Sequence, residues 1–144
     1  MNLFLKQELE KRQHEFISYK ELSILAYTWN VNGKKPPFPE IEDLFRVKNL
    51  ALGIDHIKIT KPEDIPDIII FNFQEIVPLN AKSMISTGQQ PSIWEKYIIS
   101  ELNNFYKNET KSDPGTIFVD KLASHVQMGL FQVVLVKKSI QHLI

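Results

Sequence analysis

Residues 68–71 read Ile-Ile-Ile-Phe, four apolar side chains in succession. Neighbours along an extended strand point to opposite faces, so this run presents apolar groups on both faces. A strand of that kind is expected between two covering layers, in the interior of a layered α/β domain. The strand is expected over Asp67–Gln74, led in by Pro62 and Pro66. It does not run into turn-forming residues. It ends on Gln74 and Glu75, a terminus that asks for a chemical reason.

A second run finishes in the same way. Ile24–Val31 is β-branched and aromatic, carries Asn30 near its end, and is stopped by Asn32, Gly33 and the Pro-Pro-Phe-Pro of 36–39. Residues 40–51 are expected to form a short helix with Ile41, Leu44, Phe45 and Leu50 on one side. Residues 91–106 are expected to form an outer helix whose stripe of Trp94, Ile98, Leu102 and Phe105 faces a sheet. Ser-Asp-Pro-Gly at 112–115 is a turn signal, and two strands follow, Thr116–Leu122 and Gly129–Val136. Ahead of all this, residues 2–18 set Leu3, Leu5, Leu9 and Phe16 among many charges, as a helix of modest amphipathicity. The chain divides into a helical extension over 1–20 and a strand-and-helix region over 21–144, of the α/β (α+β) class.

Composition removes several function classes. The chain has 144 residues, 43% of them hydrophobic, which suits one domain with a core. Seventeen basic residues balance seventeen acidic ones, so no global field draws the chain to nucleic acid. There is no cysteine, which excludes disulfides, thiolate metal sites and cysteine nucleophiles. The N-terminus is too charged for a signal peptide, and no stretch reaches the ~20 apolar residues of a membrane span. A soluble, cytoplasmic protein is expected.

Alternation places Asn30 and Asn32 on the same side of the first strand. On the second, Glu75 shares a side with Ile69, Phe71 and Phe73, while Asn72 and Gln74 share the other. Neighbouring strands lie ~4.8 Å apart, so adjacent strands with aligned C-terminal ends would bring Asn30 and Glu75 to one rim. An amide oxygen beside a carboxylate, without sulfur or clustered imidazole, suits Mg²⁺, which takes one or two carboxylates and keeps several waters. The alternatives are that Asn30 and Asn32 are turn residues and Glu75 a helix N-terminal acid. Lys34, Lys35 and Lys82 read either as contacts for a phosphate or lipid headgroup or as solvated loop residues. His14, His56, His125 and His142 are the four imidazoles, and each reads as a surface or structural residue.

The motif "TWNVNG" followed by "FQEIVPLNA" resembles the inositol polyphosphate 5-phosphatases of the endonuclease/exonuclease/phosphatase superfamily, in particular synaptojanin-like and plant-type members. The resemblance runs through "IWEKYI" (93–98) and "VLVKKSIQHLI" (134–144), covering roughly residues 22–144. It implies that Asn30 and Glu75 are catalytic residues that place Mg²⁺, and that Asn32 and Gln74 line the site. It implies hydrolysis of the 5-phosphate of a phosphoinositide or a soluble inositol polyphosphate, with peripheral membrane contact a further expectation. Metal neutralises phosphoryl charge in that reaction while an activated water attacks in line.

The implied fold is a four-layer DNase I-like sandwich, of which residues 21–144 would supply the N-terminal half: one sheet with its outer helices. The "SHVQMG" of 124–129 departs from the family's Ser-x-Gln pattern by one position, which moves Gln127 out of register. The family's downstream motifs, among them Gly-Asp-x-Asn and a Ser-Asp-His ending, do not occur within these 144 residues. We therefore expect the isolated chain, read as a truncated or fragmentary catalytic domain, to be weakly active or inactive alone. The inner sheet face, including Phe71, Phe73 and part of the 129–136 strand, is expected to lack its covering layer. Two alternatives remain at this point: a noncatalytic scaffold or pseudo-enzyme, and a related nuclease such as an abasic-site endonuclease.

Overall fold

The Ile-Ile-Ile-Phe run does become the strand that the rest of the sheet pairs on. A computed structural model describes residues 3–38, 41–46, 58–77 and 88–144. Four strands, β1 (Ile24–Asn30), β2 (Ile68–Gln74), β3 (Val119–Gln127) and β4 (Leu130–Lys137), form one sheet in the order β1-β2-β4-β3. β1 runs parallel to β2, from Ile24 opposite Ile68 to Asn30 opposite Gln74. β4 is antiparallel to both β2 and β3. Among the described residues the α-helices are α1 (Leu3–Lys11), α2 (Ile41–Phe45) and α3 (Gln90–Thr110). This is the mixed α/β architecture read from the sequence. Among the described residues no helix is long and apolar enough to cross a membrane.

One face of the sheet is packed by α3. Trp94, Ile98, Leu102 and Phe105, the stripe expected from 3.6-residue periodicity, are all buried. They meet Ile69, Phe71 and Phe73 of β2 and Phe131, Val133 and Leu135 of β4 in a single core cluster. Aromatic rings dominate it: Tyr27 stacks on Phe71 at 4.6 Å, and Phe73 lies 5.0 Å from Trp94 and 5.8 Å from Phe131. Each such side chain removed from water contributes about 1.5–3 kcal/mol before entropy is counted. Ile41 and Phe45 of α2 join the same core. Arg46 reaches across to Glu109 at 2.7 Å and lies over the Phe105 ring, tying α2 to α3. Leu50 falls outside the described residues.

The other face carries less cover than the four-residue apolar run led us to expect. Ile68, Ile70 and Asn72 are half-buried and Gln74 is exposed. Ile24 and Leu130 are exposed on the flanking strands. Phe71 and Phe73 are not part of this open face: they are 0% and 1% exposed beneath α3. That corrects the expectation that they would lack a partner layer. Their parity along β2 sends them to the helix side, and the residues left open mix aliphatic side chains such as Ile24, Ile68, Ile70 and Leu130 with amides such as Asn72 and Gln74.

Element ends moved for identifiable reasons. α3 continues to Thr110, whose hydroxyl donates to the Tyr106 carbonyl at 2.7 Å, and stops at Lys111 with φ +52°. β3 extends to Gln127 because it is one arm of a hairpin whose two turn residues, Met128 and Gly129, both have positive φ. A register shift between Lys121 and Ala123 marks a bulge in that arm. At the opposite end of the sheet, Asp67 accepts the backbone N–H and hydroxyl of Ser23 at 3.0 and 3.1 Å. Those bonds, the backbone one foremost, hold its carboxyl below the usual carboxylate range.

Asn103 is the one buried polar residue among the described residues. Its side-chain nitrogen donates to the carbonyls of Ile99 and Val119, and its oxygen accepts from the N–H groups of Phe118 and Val119 at 2.8 and 3.2 Å. It therefore satisfies the backbone where the chain enters β3, and ties that point to the middle of α3. Asn103→Ala strands several buried backbone groups, each costing about 1–3 kcal/mol. We expect a loss of about 2–4 kcal/mol in urea unfolding, with Asn103→Asp failing to rescue because it removes both donors. A loss below ~0.5 kcal/mol, the size of an ordinary surface change, would contradict this role.

Candidate functional site

Parallel pairing brings the C-terminal ends of β1 and β2 to the same edge of the sheet. Asn30, the last residue of β1, lies opposite Gln74, the last residue of β2. Strict alternation would send Glu75 to the helix side and Asn30 to the open side. The backbone at Glu75 breaks that rule: its φ of +50° is left-handed. The two side chains meet at the rim, where Asn30 Nδ2 donates to Glu75 Oε1 at 2.7 Å.

The loop after β1 is folded onto the same point. Val31 N–H donates to the Gln74 carbonyl at 3.0 Å, and Gly33 N–H donates to the Glu75 carbonyl at 2.7 Å. Lys34 N–H closes a turn on the Val31 carbonyl at 2.9 Å, with φ of +49° at Asn32 and +65° at Gly33. Two central residues with positive φ make a primed turn, for which Asn-Gly is the preferred pair. Asn30 Oδ1 accepts the Asn32 N–H at 2.9 Å, which fixes which way the Asn30 amide points. Asn32 lies beyond the strand end, so alternation does not apply to it. Its left-handed turn conformation sets its direction instead.

The contact between Asn30 and Glu75 is thus through the amide nitrogen. Glu75 Oε2 makes no hydrogen bond among the described residues, and Asn30 Oδ1 keeps one lone pair after accepting Asn32. Among the described residues no group of three or more His, Asp or Glu side chains forms a ready metal cage. A single carboxylate with an adjacent amide fits a hard cation that keeps most of its water, as Mg²⁺ does.

Further anchors hold the loop. Phe38 packs its ring 4.9 Å from Trp29, its N–H donates to the Tyr97 hydroxyl at 2.9 Å, and that hydroxyl donates to the Phe38 carbonyl at 3.0 Å. On the far side, Ile76 N–H donates to the Gly129 carbonyl at 2.9 Å, so the β3–β4 turn braces the segment after Glu75. Lys34 and Lys35 are exposed in this loop. Lys82 and His56 fall outside the described residues.

Gln74 points away from Glu75, onto the open face. There it lines a groove of about 400 Å³ with Thr28, Asn72, His125, Gln127 and Gln132. Asn72 donates to the Tyr27 carbonyl at 3.2 Å and accepts from Gln132 Nε2 at 2.7 Å. Thr28, Asn72, Gln132 and His125 stand in one row across all four strands. Sequence reading missed this polar row. Its signal lies in the register between strands, which no single segment displays.

Comparison with known proteins bears on this geometry. Residues 27–144 match the family described as endonuclease/exonuclease/phosphatase family 2. The type I inositol polyphosphate 5-phosphatase 2 of Arabidopsis thaliana is 33% identical over 101 residues, covering 68% of this chain and 13% of that protein. A phosphatidylinositol 4,5-bisphosphate 5-phosphatase of Saccharomyces cerevisiae is 26% identical over 104 residues, covering 72% of this chain and 10% of that protein. The inositol polyphosphate 5-phosphatase domain of SPsynaptojanin, solved with inositol (1,4)-bisphosphate and calcium ion, has the same fold at a TM-score of 0.60 and 24% identity. That likeness covers 94% of this chain and 33% of the solved one. The chain thus spans only about a tenth of the length of the two curated relatives.

The left-handed backbone at Glu75 has a measurable cost. A residue with a Cβ in that region is disfavoured by about 1–2 kcal/mol relative to glycine. Glu75→Gly is therefore expected to be more stable than Glu75→Ala by ~1 kcal/mol in denaturant unfolding. Equal stability of the two variants would mean that position 75 is not held at positive φ.

Proposed function

The chain belongs to the endonuclease/exonuclease/phosphatase family 2, and from that membership we propose that it forms the metal-holding wall of a phosphatase domain. The reaction is Mg²⁺-dependent hydrolysis of the 5-phosphate of inositol polyphosphates or phosphoinositides. The observation that carries this reading is the 2.7 Å contact between Asn30 and Glu75 at the shared end of two parallel strands. Its support from outside the chain is that the curated relatives are named as 5-phosphatases.

Each residue has a distinct part. Glu75 supplies the charged oxygen, Oε2, to the cation. Asn30 orients that carboxylate through Nδ2 and keeps an Oδ1 lone pair toward the same space. The Asn32-Gly33 turn fixes the Asn30 amide. Mg²⁺, when bound, neutralises phosphoryl charge as it develops in the transition state. Lys34 and Lys35 stand in the adjoining loop as the cations that meet a neighbouring phosphate or an anionic headgroup. Gln74 and Asn32 line the approach. The reading also includes a cytoplasmic location with peripheral membrane contact.

The chain corresponds to one third of the matched domain structure, so we assign it part of the reaction's apparatus. Alone, it is expected to release phosphate from phosphatidylinositol 4,5-bisphosphate no faster than its Glu75→Gln variant. Release well above that control would contradict the division of labour. The function itself is tested by grafting residues 22–144 in place of the matching stretch of the Arabidopsis type I enzyme. The chimera is expected to retain Mg²⁺-dependent release of the 5-phosphate. Glu75→Gln in it should lower kcat/KM by at least ~100-fold and Asn30→Ala by ~10–100-fold, with near-UV circular dichroism unchanged. A folded chimera that is inactive, or that ignores Glu75→Gln, sinks the proposal.

A further inference from the structure

The loop that leaves β1 is fastened at two points, and the phosphatase reading uses only the first. At the near end, Val31 and Gly33 donate to the carbonyls of Gln74 and Glu75, which ties the turn to the end of β2. At the far end the loop is held by one side chain of α3. The Tyr97 hydroxyl accepts the Phe38 N–H at 2.9 Å and donates to the Phe38 carbonyl at 3.0 Å. Its proton and one of its lone pairs thus both go to the backbone of a single loop residue.

Between the two fastenings lie Lys34, Lys35, Pro36 and Pro37. Lys34 N–H closes the turn on Val31, and beyond it no backbone hydrogen bond among the described residues involves Lys35, Pro36 or Pro37. The span is stiff all the same. Each proline ring fixes φ at about −65°, and a residue that precedes proline is kept to extended backbone. A stiff span with few bonds of its own takes its direction from its ends. Where Phe38 is held therefore decides where Lys35, three residues earlier, can stand.

Tyr97 is itself a fixed point. Trp94 and Ile98, on either side of it in α3, are both fully buried. The Tyr97 ring lies 6.0 Å from that of Trp94, which in turn is 5.3 Å from the Phe38 ring. Phe38 is thus held twice, through its ring by the core cluster and through its backbone by the hydroxyl. We propose that Tyr97 is a positioning residue for anion binding: through the Phe38 backbone it sets where Lys34 and Lys35 stand, and so how tightly the site holds a phosphate of a multiply phosphorylated ring. This rests on the reading above, in which those two lysines meet a phosphate. Asn30 and Glu75 do not depend on the clamp, because the Val31 and Gly33 bonds hold their loop independently of Phe38.

The whole ¹⁵N-labelled chain tests this without any turnover. Inositol (1,4)-bisphosphate, the ligand of the solved synaptojanin domain, is added and the amides of Lys34 and Lys35 are expected to shift saturably. Tyr97→Phe keeps the ring and removes both hydroxyl bonds. With the competent arrangement of the lysines reduced to about one fifth of the population, Kd rises ~5-fold. The ¹H–¹⁵N NOE of Lys34 and Lys35 should fall in the same variant. Those of Val31 and Gly33, and the Mn²⁺ broadening at Glu75, should stay as in the parent. Thr110→Val deletes a hydroxyl bond at the other end of α3 and should leave Kd within ~2-fold. The proposal is overturned by a parent chain without a saturable shift at those two amides, or by a Tyr97→Phe Kd within ~2-fold of the parent. Equal weakening by Thr110→Val, or loss of the Mn²⁺ broadening in Tyr97→Phe, also overturns it, since either would make the effect one of general stability. An inactive chimera, by contrast, removes the phosphatase reading and leaves these binding constants standing.

Discussion

Two parallel strands end at the same edge of a sheet, and a tight turn cannot join them, so their register must come from pairing and packing. Here β1 and β2 lie with Asn30 opposite Gln74. Packing fixes the alignment, because Tyr27 stacks on Phe71 and Trp29 lies 6.1 Å from Phe73 on the helix side. A slip of one residue would turn those rings to the open face and carry Asn30 away from Glu75. The rim contact therefore rests on an aromatic core several residues distant. The left-handed turn at Glu75 is the remaining adjustment, bringing a side chain from the covered side to the edge.

Among the described residues, the sheet is covered on one face only. α3 and α2 supply a dense aromatic layer beneath it, while the opposite face presents Thr28, Asn72, Gln74 and Gln132 with a few aliphatic neighbours. Amide groups bonded to each other across strands make that face tolerant of water and specific in what can lie against it. The same division explains why the candidate site is at an edge. The helix side is closed, the open side mixes amides with aliphatic side chains, and the strand ends are where left-handed backbone and Asn-Gly turns can gather donors and acceptors without disturbing the core.

Much of this was legible in the sequence. The Trp94, Ile98, Leu102 and Phe105 stripe identified the packing helix, because helical periodicity is a local property. The paired endings of the first two strands identified Asn30 and Glu75 as residues to compare. Less visible was how they meet. Alternation put Glu75 on the helix side and Asn32 on the same side as Asn30, and neither rule applies where positive φ replaces extended backbone at those two residues. The Asn30 amide oxygen was expected beside the Glu75 carboxylate, both turned to one divalent ion; here that oxygen accepts the Asn32 N–H and the amide nitrogen meets Glu75. The two-sided apolar run at 68–71 suggested two covering layers, whereas the described residues supply one. The polar row across the sheet was invisible because each member comes from a different strand and only the register assembles it.

The central claim is that Asn30 and Glu75 together create a divalent-cation site at the end of the β1–β2 pair. It is tested most directly by Mn²⁺ titration of the ¹⁵N-labelled chain, reading paramagnetic broadening of backbone amides. We expect selective broadening at Val31, Asn32, Gly33 and Glu75, absent in Glu75→Gln, with the amides of α3 near Asn103 unaffected. Broadening spread over surface carboxylates at the α1 and α3 ends, or unchanged by Glu75→Gln, would contradict it.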